Sequence, residues 1–144
     1  MEKLKTKVIL WNIIIPIFLG AIIYYLISPE VIFVKRMDFL IGKGIHISDI
    51  TAVNPAIRIM RNYLPDMLWG YALIFTLYYF LDNNAAYLLK TFLIASLFSA
   101  VMEFLQITPV VKGTFDWYDI IVELLAEVIA VFIIKKLLLR RKMK

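Results

Sequence analysis

Four apolar runs, near residues 8–27, 64–81, 87–107 and 117–139, take up most of the chain. Each is close to the roughly 20 residues that a helix needs to cross a hydrocarbon core about 30 Å thick. In lipid a spanning helix satisfies its own backbone hydrogen bonds, which an irregular segment does not. A chain of 144 residues has no room beside four such runs for a separate water-soluble core, so residues 1–144 read as a single domain. Composition agrees, with 62% hydrophobic and 19% charged residues against about 45–50% and 25% in soluble domains. The expected fold is all-α: an integral membrane bundle of four transmembrane helices.

The first run follows Lys3, Lys5 and Lys7. It is longer than the roughly 7–15 apolar residues of a signal peptide and lacks a small-residue cleavage site, so it reads as a retained anchor. Pro16 inside it removes a backbone donor and should kink the helix. Gly20 and Ala21 would let a neighbouring helix approach closely. The 28–62 loop contains Ser28-Pro29 and Asn54-Pro55, each an N-cap residue followed by proline at the first helical position. After Asn54, Ile57, Met60, Tyr63 and Leu64 recur at helical spacing with Arg58 and Arg61 on another face, which predicts a short interfacial helix in the first outer loop. Between the two starts, Ile41-Gly42-Lys43-Gly44 marks a turn.

Four spans place both ends on one side. Ten basic residues, among them Lys90 and the Lys135 to Lys144 tail, fall with the termini, and six, including Lys35, Arg36, Arg58, Arg61 and Lys112, fall opposite. The positive-inside rule then puts both termini in the cytoplasm of a multi-pass cell-membrane protein. The net charge of +5 lies at the ends and in one loop beside apolar spans, so membrane lipids rather than nucleic acid are the expected partner. Ten Trp and Tyr side chains from Trp11 to Tyr118, Tyr24 among them, fall mostly near span ends and read as an interfacial aromatic belt. Cysteine is absent, which excludes disulfides and thiolate metal sites. His46 stands alone in a loop, and no phosphate loop, nucleophile elbow or zinc motif occurs. No cofactor is assigned.

The polar residues inside the spans carry the functional expectation. Asp116, Asp119, Glu123 and Glu127 follow one another at steps of three, four and four, so they share one stripe of the last helix. An ionised carboxylate at the bilayer centre costs about 2.5–3.5 kcal/mol on insertion scales, so such residues face a bundle interior or a wet cavity. At about 1.5 Å per residue, Asp66 lies within a turn or so of the outer surface on the second span, and Glu103 and Gln106 lie in the last turns of the third. Asp116 and Asp119 lie near the surface on the fourth, Glu123 deeper and Glu127 towards mid-membrane. Asp66, Glu103, Gln106, Asp116, Asp119 and Glu123 therefore converge in the outer half of the bilayer as a candidate ligand-binding set. The plainer readings are that Glu103 and Gln106 pair with Asp119 or a backbone carbonyl to hold helix register, and that Asp116 and Asp119 cap a helix N-terminus. Glu123 and Glu127 lie too deep for capping and need a cation, a proton or water. A hard cation would suit these oxygens, or Arg58, Arg61 or Lys112 would neutralise them from the rim; no metal ligand set is assigned.

The run Glu103-Phe-Leu-Gln106, then Gly113-Thr-Phe-Asp116-Trp-Tyr-Asp119, resembles the C-terminal signature of VanZ-like membrane proteins. There a Glu-x-x-Gln pair ends one span and an Asp opens the next after a short polar loop. Asp66 is a looser counterpart of the acid that opens that family's second conserved span. The resemblance covers roughly residues 62–139. Where many members have Asn and Gly after the opening Asp, this chain has Glu123 and Ala126, and where many have Lys and His after the earlier acid it has Met67 and Gly70. An Arg common in the family's outer loop is replaced by Lys112 as the nearest cation. The family takes its name from an accessory to glycopeptide resistance, so the resemblance implies a cell-envelope or antibiotic-resistance setting and a fold, more than a reaction.

Three functional readings follow. The first is an outer acidic pocket binding a polar or cationic headgroup or an envelope-active compound. The second is a membrane-embedded acid–base enzyme with Glu103 and Asp119 as the catalytic pair and Gln106 orienting the substrate, which requires the two carboxyl groups to titrate in distinct steps. The third is a non-catalytic accessory or homo-oligomer whose Glu123–Glu127 face docks another membrane protein. Transport by four spans alone leaves little material for alternating access.

Overall fold

The computed structural model describes residues 2–27, 32–42, 55–81, 85–108 and 115–142. Among them all regular structure is helical: α1 Glu2–Ile27, α2 Ile32–Ile41, α3 Pro55–Phe80, α4 Leu88–Leu105 and α5 Trp117–Lys142, with a 3-10 turn at Ala85–Tyr87 leading into α4. Helix α3 is the hub. It packs along α1 on one side and along α5 on the other, and α4 closes against both α3 and α5.

The chain packs through small residues. Gly70 and Ala72 of α3, Ala95 and Ser99 of α4, and Ala126 and Ala130 of α5 are all buried, a pattern of small side chains that lets helix backbones approach closely. At Gly70 the approach is close: an added Cβ would stand 3.2 Å from the backbone oxygen of Glu123 and 3.4 Å from its Cα. At one end Ile9, Ile74, Phe75, Tyr78, Leu88, Ala95, Ala130 and Ile134 form an apolar core drawn from α1, α3, α4 and α5. The outward faces are also apolar: Phe18 on α1, Leu93 and Leu97 on α4, and Leu125 and Phe132 on α5 are all exposed.

Helix α1 lies antiparallel to α3. Asn12 accepts a hydrogen bond from the Tyr71 hydroxyl at 2.5 Å and donates to its own helix at Val8 O, 2.8 Å away. Gly20 receives the Trp69 indole, with Nε1 3.5 Å from the position of a Cβ, so the close approach expected at Gly20 is made by a large side chain as well as by backbone. Pro16 sits inside α1, which runs unbroken from Glu2 to Ile27. Helix α2 occupies part of the basic loop. It buries Val34 completely, hydrogen-bonds through Asp38 to Tyr25 of α1, and ends at Gly42, whose φ of +93° suits glycine and whose N–H donates to Asp38 O at 2.9 Å.

Two expectations change. The short interfacial helix and the second span are one continuous helix, Pro55–Phe80. Pro65 forfeits a single backbone hydrogen bond to the preceding turn, and its burial against the neighbouring helices keeps α3 intact through it. Of the four runs, two are long and apolar enough to cross a membrane, Thr6–Ile27 and Leu88–Leu105. Helices α3 and α5 have the length, 26 residues each. Asp66, Pro65 and several tyrosines dilute the apolar character of α3, and Asp119, Glu123 and Glu127 that of α5. Ser28-Pro29, Asn54, Lys43-Gly44, His46 and Lys112-Gly113 lie outside the described residues.

Candidate functional site

The acids converge at the end of the bundle opposite the apolar core, and local sequence explains how each is held. Helix α5 begins at Trp117, making Asp116 its N-cap: the Asp116 carboxylate accepts the Tyr118 N–H at 2.9 Å, and the Asp116 carbonyl accepts the Asp119 N–H at 3.2 Å. Asp119 and Glu123 follow on the next two turns, and the Gly70 contact sets Glu123 directly against α3. Helix α4 finishes in a tightened turn, with the N–H groups of Gln106, Ile107 and Thr108 bonded three residues back at 3.0–3.2 Å. That turn folds the Gln106 side chain onto Glu103, Nε2 donating to Oε1 at 2.5 Å. Phe104 stacks on Phe115 at 5.6 Å and Trp117 stands edge-on to both, so an aromatic clasp fixes the end of α4 to the start of α5.

Asp66 of α3 completes the group and accepts a long hydrogen bond, 3.4 Å, from the Tyr24 hydroxyl of α1. Asp66, Glu103 and Asp119 act on one another electrostatically, Glu123 acts with Asp66 and Glu103, and no lysine or arginine among the described residues is among the charges acting on Asp66, Asp119 or Glu123. Arg61 instead turns its Nε to Asn62 at 3.1 Å. The neutralisation expected from Arg58 or Arg61 is therefore not made, and Lys112 lies outside the described residues.

Glu103 is the most enclosed of these acids, at 7% exposure. Its Oε1 is held by Gln106, while its Oε2 is buried and makes no hydrogen bond, although the Asp116 N–H lies close to the carboxyl group. Glu123 Oε2 is likewise buried and unbonded. Buried acceptors are nearly always paired, and an unpaired one is costly, more so when charged. The side-chain bond to Glu103 comes from Gln106 within its own helix, while the group facing it from α5 is the Asp116 backbone rather than the Asp119 side chain.

One turn further in, Glu127 is completely buried. Ser96 Oγ donates to its Oε2 at 2.5 Å and Ser99 Oγ to its Oε1 at 3.1 Å. Two hydroxyls from α4 thus reach both oxygens of Glu127. Its burial also removes Glu127 from any outward face and places it in an internal seam between α4 and α5.

Asp66, Glu103, Asp116, Asp119 and Glu123 are brought to one end, with Gln106 beside Glu103, while Glu127 belongs to the seam. Sequence reasoning missed Ser96, Ser99 and Tyr24 as partners of these acids. Ser99 lies one helical turn before Glu103 on the buried stripe Leu88, Thr91, Ala95, Ser99, Glu103, so helical spacing carried a signal for it; Tyr24 offered none beyond its place in the aromatic belt. Among the described residues no group of three or more His, Asp or Glu is placed to hold a metal ion. Comparison with known protein families, curated proteins and solved structures finds no match.

Proposed function

We propose that the chain is a multi-pass membrane protein, its α1, α3, α4 and α5 crossing a cell membrane with both termini in the cytoplasm. On this reading the acidic end binds a polar or cationic headgroup, from an envelope lipid or an envelope-active compound. The observation that carries the reading is the unpaired Oε2 of Glu103, buried among carboxylates from three helices with no described cation acting on Asp66, Asp119 or Glu123.

The membrane setting is supported by the outward faces. Soluble monomers rarely expose apolar patches beyond a few hundred Å², whereas here large apolar side chains line the outside of α1, α4 and α5. Only 17% of the apolar stretch of α1 and 28% of that of α4 is buried within the fold, unlike a core helix of a soluble protein. In α3 and α5 the polar groups that lower the average apolarity turn largely inward, as in a bundle whose charges avoid lipid. The resemblance of Glu103, Gln106, Asp116 and Asp119 to the VanZ-like signature adds the envelope setting.

The test is native mass spectrometry of the protein from mild detergent beside Glu103→Gln/Asp119→Asn. A discrete adduct present in the wild type and lost in the variant is expected. Equal spectra from two folded proteins would overturn the binding reading.

A further inference from the structure

Resting on that reading, we infer that the ligand of the acidic end presents a primary ammonium group, R–NH3⁺, in preference to a methylated ammonium or a metal ion. What the site lacks is hydrogen-bond donors as well as positive charge. Glu103 Oε2 and Glu123 Oε2 are both buried and make no hydrogen bond, although the Asp116 N–H lies near the first carboxyl group and the Ser99 hydroxyl near the second, and the two groups lie close enough to act on each other and on Asp66. Gln106 cannot fill the gap, because its amide is already committed to Glu103 Oε1. Ser99 lies within hydrogen-bonding reach of the Glu123 carboxyl group as well as of Glu127 Oε1, but its single hydroxyl proton serves only one of the two acids at a time.

Candidate cations differ in how they meet this need. A primary ammonium brings one charge and three N–H donors, enough to serve acceptors on more than one carboxylate. A quaternary ammonium brings the charge and no N–H, so it leaves both oxygens unpaired and relies on aromatic faces instead. The rings at this end pair with one another, Phe104, Phe115 and Trp117 in one group and Tyr63 with Tyr118 beside Asp116 and Asp119 in another. A divalent cation such as Ca²⁺ needs about 6–8 oxygens at 2.3–2.6 Å, and the described acids are not gathered for that. A buried acceptor built for an N–H also rejects analogues that lack it far more strongly than an apolar pocket rejects a spare methyl group. The amine can belong to a lipid headgroup or to a soluble molecule; the donor chemistry is common to both.

The experiment places the full-length protein in phosphatidylcholine nanodiscs and titrates phosphatidylethanolamine, its N-methyl and N,N-dimethyl forms, and soluble ethanolamine, reading bound lipid by native mass spectrometry and stability by thermal unfolding. Retention should fall at each added methyl, with at least a tenfold loss from the primary amine to phosphatidylcholine, and should disappear in Glu103→Gln. Asp119→Asn, at a less enclosed position, should weaken it in a protein that still unfolds at the wild-type temperature. Displacement of the lipid by soluble ethanolamine at millimolar concentration would assign the recognition to the amine alone, and displacement only by lipid would assign part of it to the acyl chains; both support the inference. Equal retention across the methyl series with loss in Glu103→Gln would overturn the primary-ammonium inference and leave cation binding standing. No retention of any species, or retention indifferent to both substitutions, would overturn both.

Discussion

Two acidic regions lie one helical turn apart on the same pair of helices and are finished in opposite ways. Glu127 is entirely buried and both its oxygens are bonded to serine hydroxyls. Glu103 is nearly as buried and has one oxygen bonded and one bare. Burial therefore does not separate a structural acid from a candidate functional one; completion of the hydrogen-bond set does. The inner acid is a fastener between α4 and α5. The outer group holds acceptors that the fold leaves for something else to fill.

The sharpest way to break this contrast is to strip the inner acid of its donors. Ser96→Ala/Ser99→Ala should cost about 3 kcal/mol, since an unsatisfied buried group costs roughly 1–3 kcal/mol and a charged one more. Reversible unfolding in mixed detergent micelles would measure it. A double variant as stable as wild type would mean that Glu127 finds water or a proton freely, and the two regions would no longer differ. Next in size is Gly70→Val, which probes the boundary between them. Its branched side chain meets the Glu123 backbone within 3.2–3.5 Å, and overpacking of this kind costs about 1–3 kcal/mol. The same change should move Glu123 and abolish headgroup retention. Retention unchanged at full stability would show that α3 and α5 are free to separate without disturbing the acids.

The structure also shows why some of this was legible in the sequence. The all-helical fold followed from the apolar runs, although α3 starts earlier than its run, and the meeting of Asp66, Glu103, Asp116, Asp119 and Glu123 followed from rise per residue applied to helices of alternating direction. Asp116 was readable as a cap because capping is local: the bond from Tyr118 N–H spans two residues. The continuity of α3 through Pro65 was not readable, because it rests on packing around the proline rather than on propensity. Ser96 and Ser99 were passed over because small side chains in an apolar helix look the same whether they serve close packing or donate to an acid. Deciding between those roles needs Glu127, 28–31 residues away. Gly70 is the same kind of case, a residue whose purpose is set by a non-local neighbour.

Two smaller changes sharpen the comparison from the outer side. Asp116→Ala removes the N-cap acceptor of α5 and should cost about 1 kcal/mol, while Asp116→Asn, still able to accept the Tyr118 N–H, should cost only a few tenths. A like pair of losses would show that the charge of Asp116, rather than its capping bond, is what matters.

Glu103→Gln should have the smallest effect on stability, and its sign is the informative part. The amide oxygen still accepts from Gln106, so the intrahelical bond survives, and the change removes a buried negative charge set among other carboxyl groups. In detergent stripped of amines the variant should match the wild type within about 0.5 kcal/mol or exceed it, because an uncompensated buried charge is itself destabilising. Glu127→Gln should do the reverse, since its new NH2 faces serine hydroxyls already oriented as donors. Measured side by side, opposite signs at two acids of similar burial would establish that the fold completes one and leaves the other incomplete. Equal losses at both would return Glu103 to the fasteners.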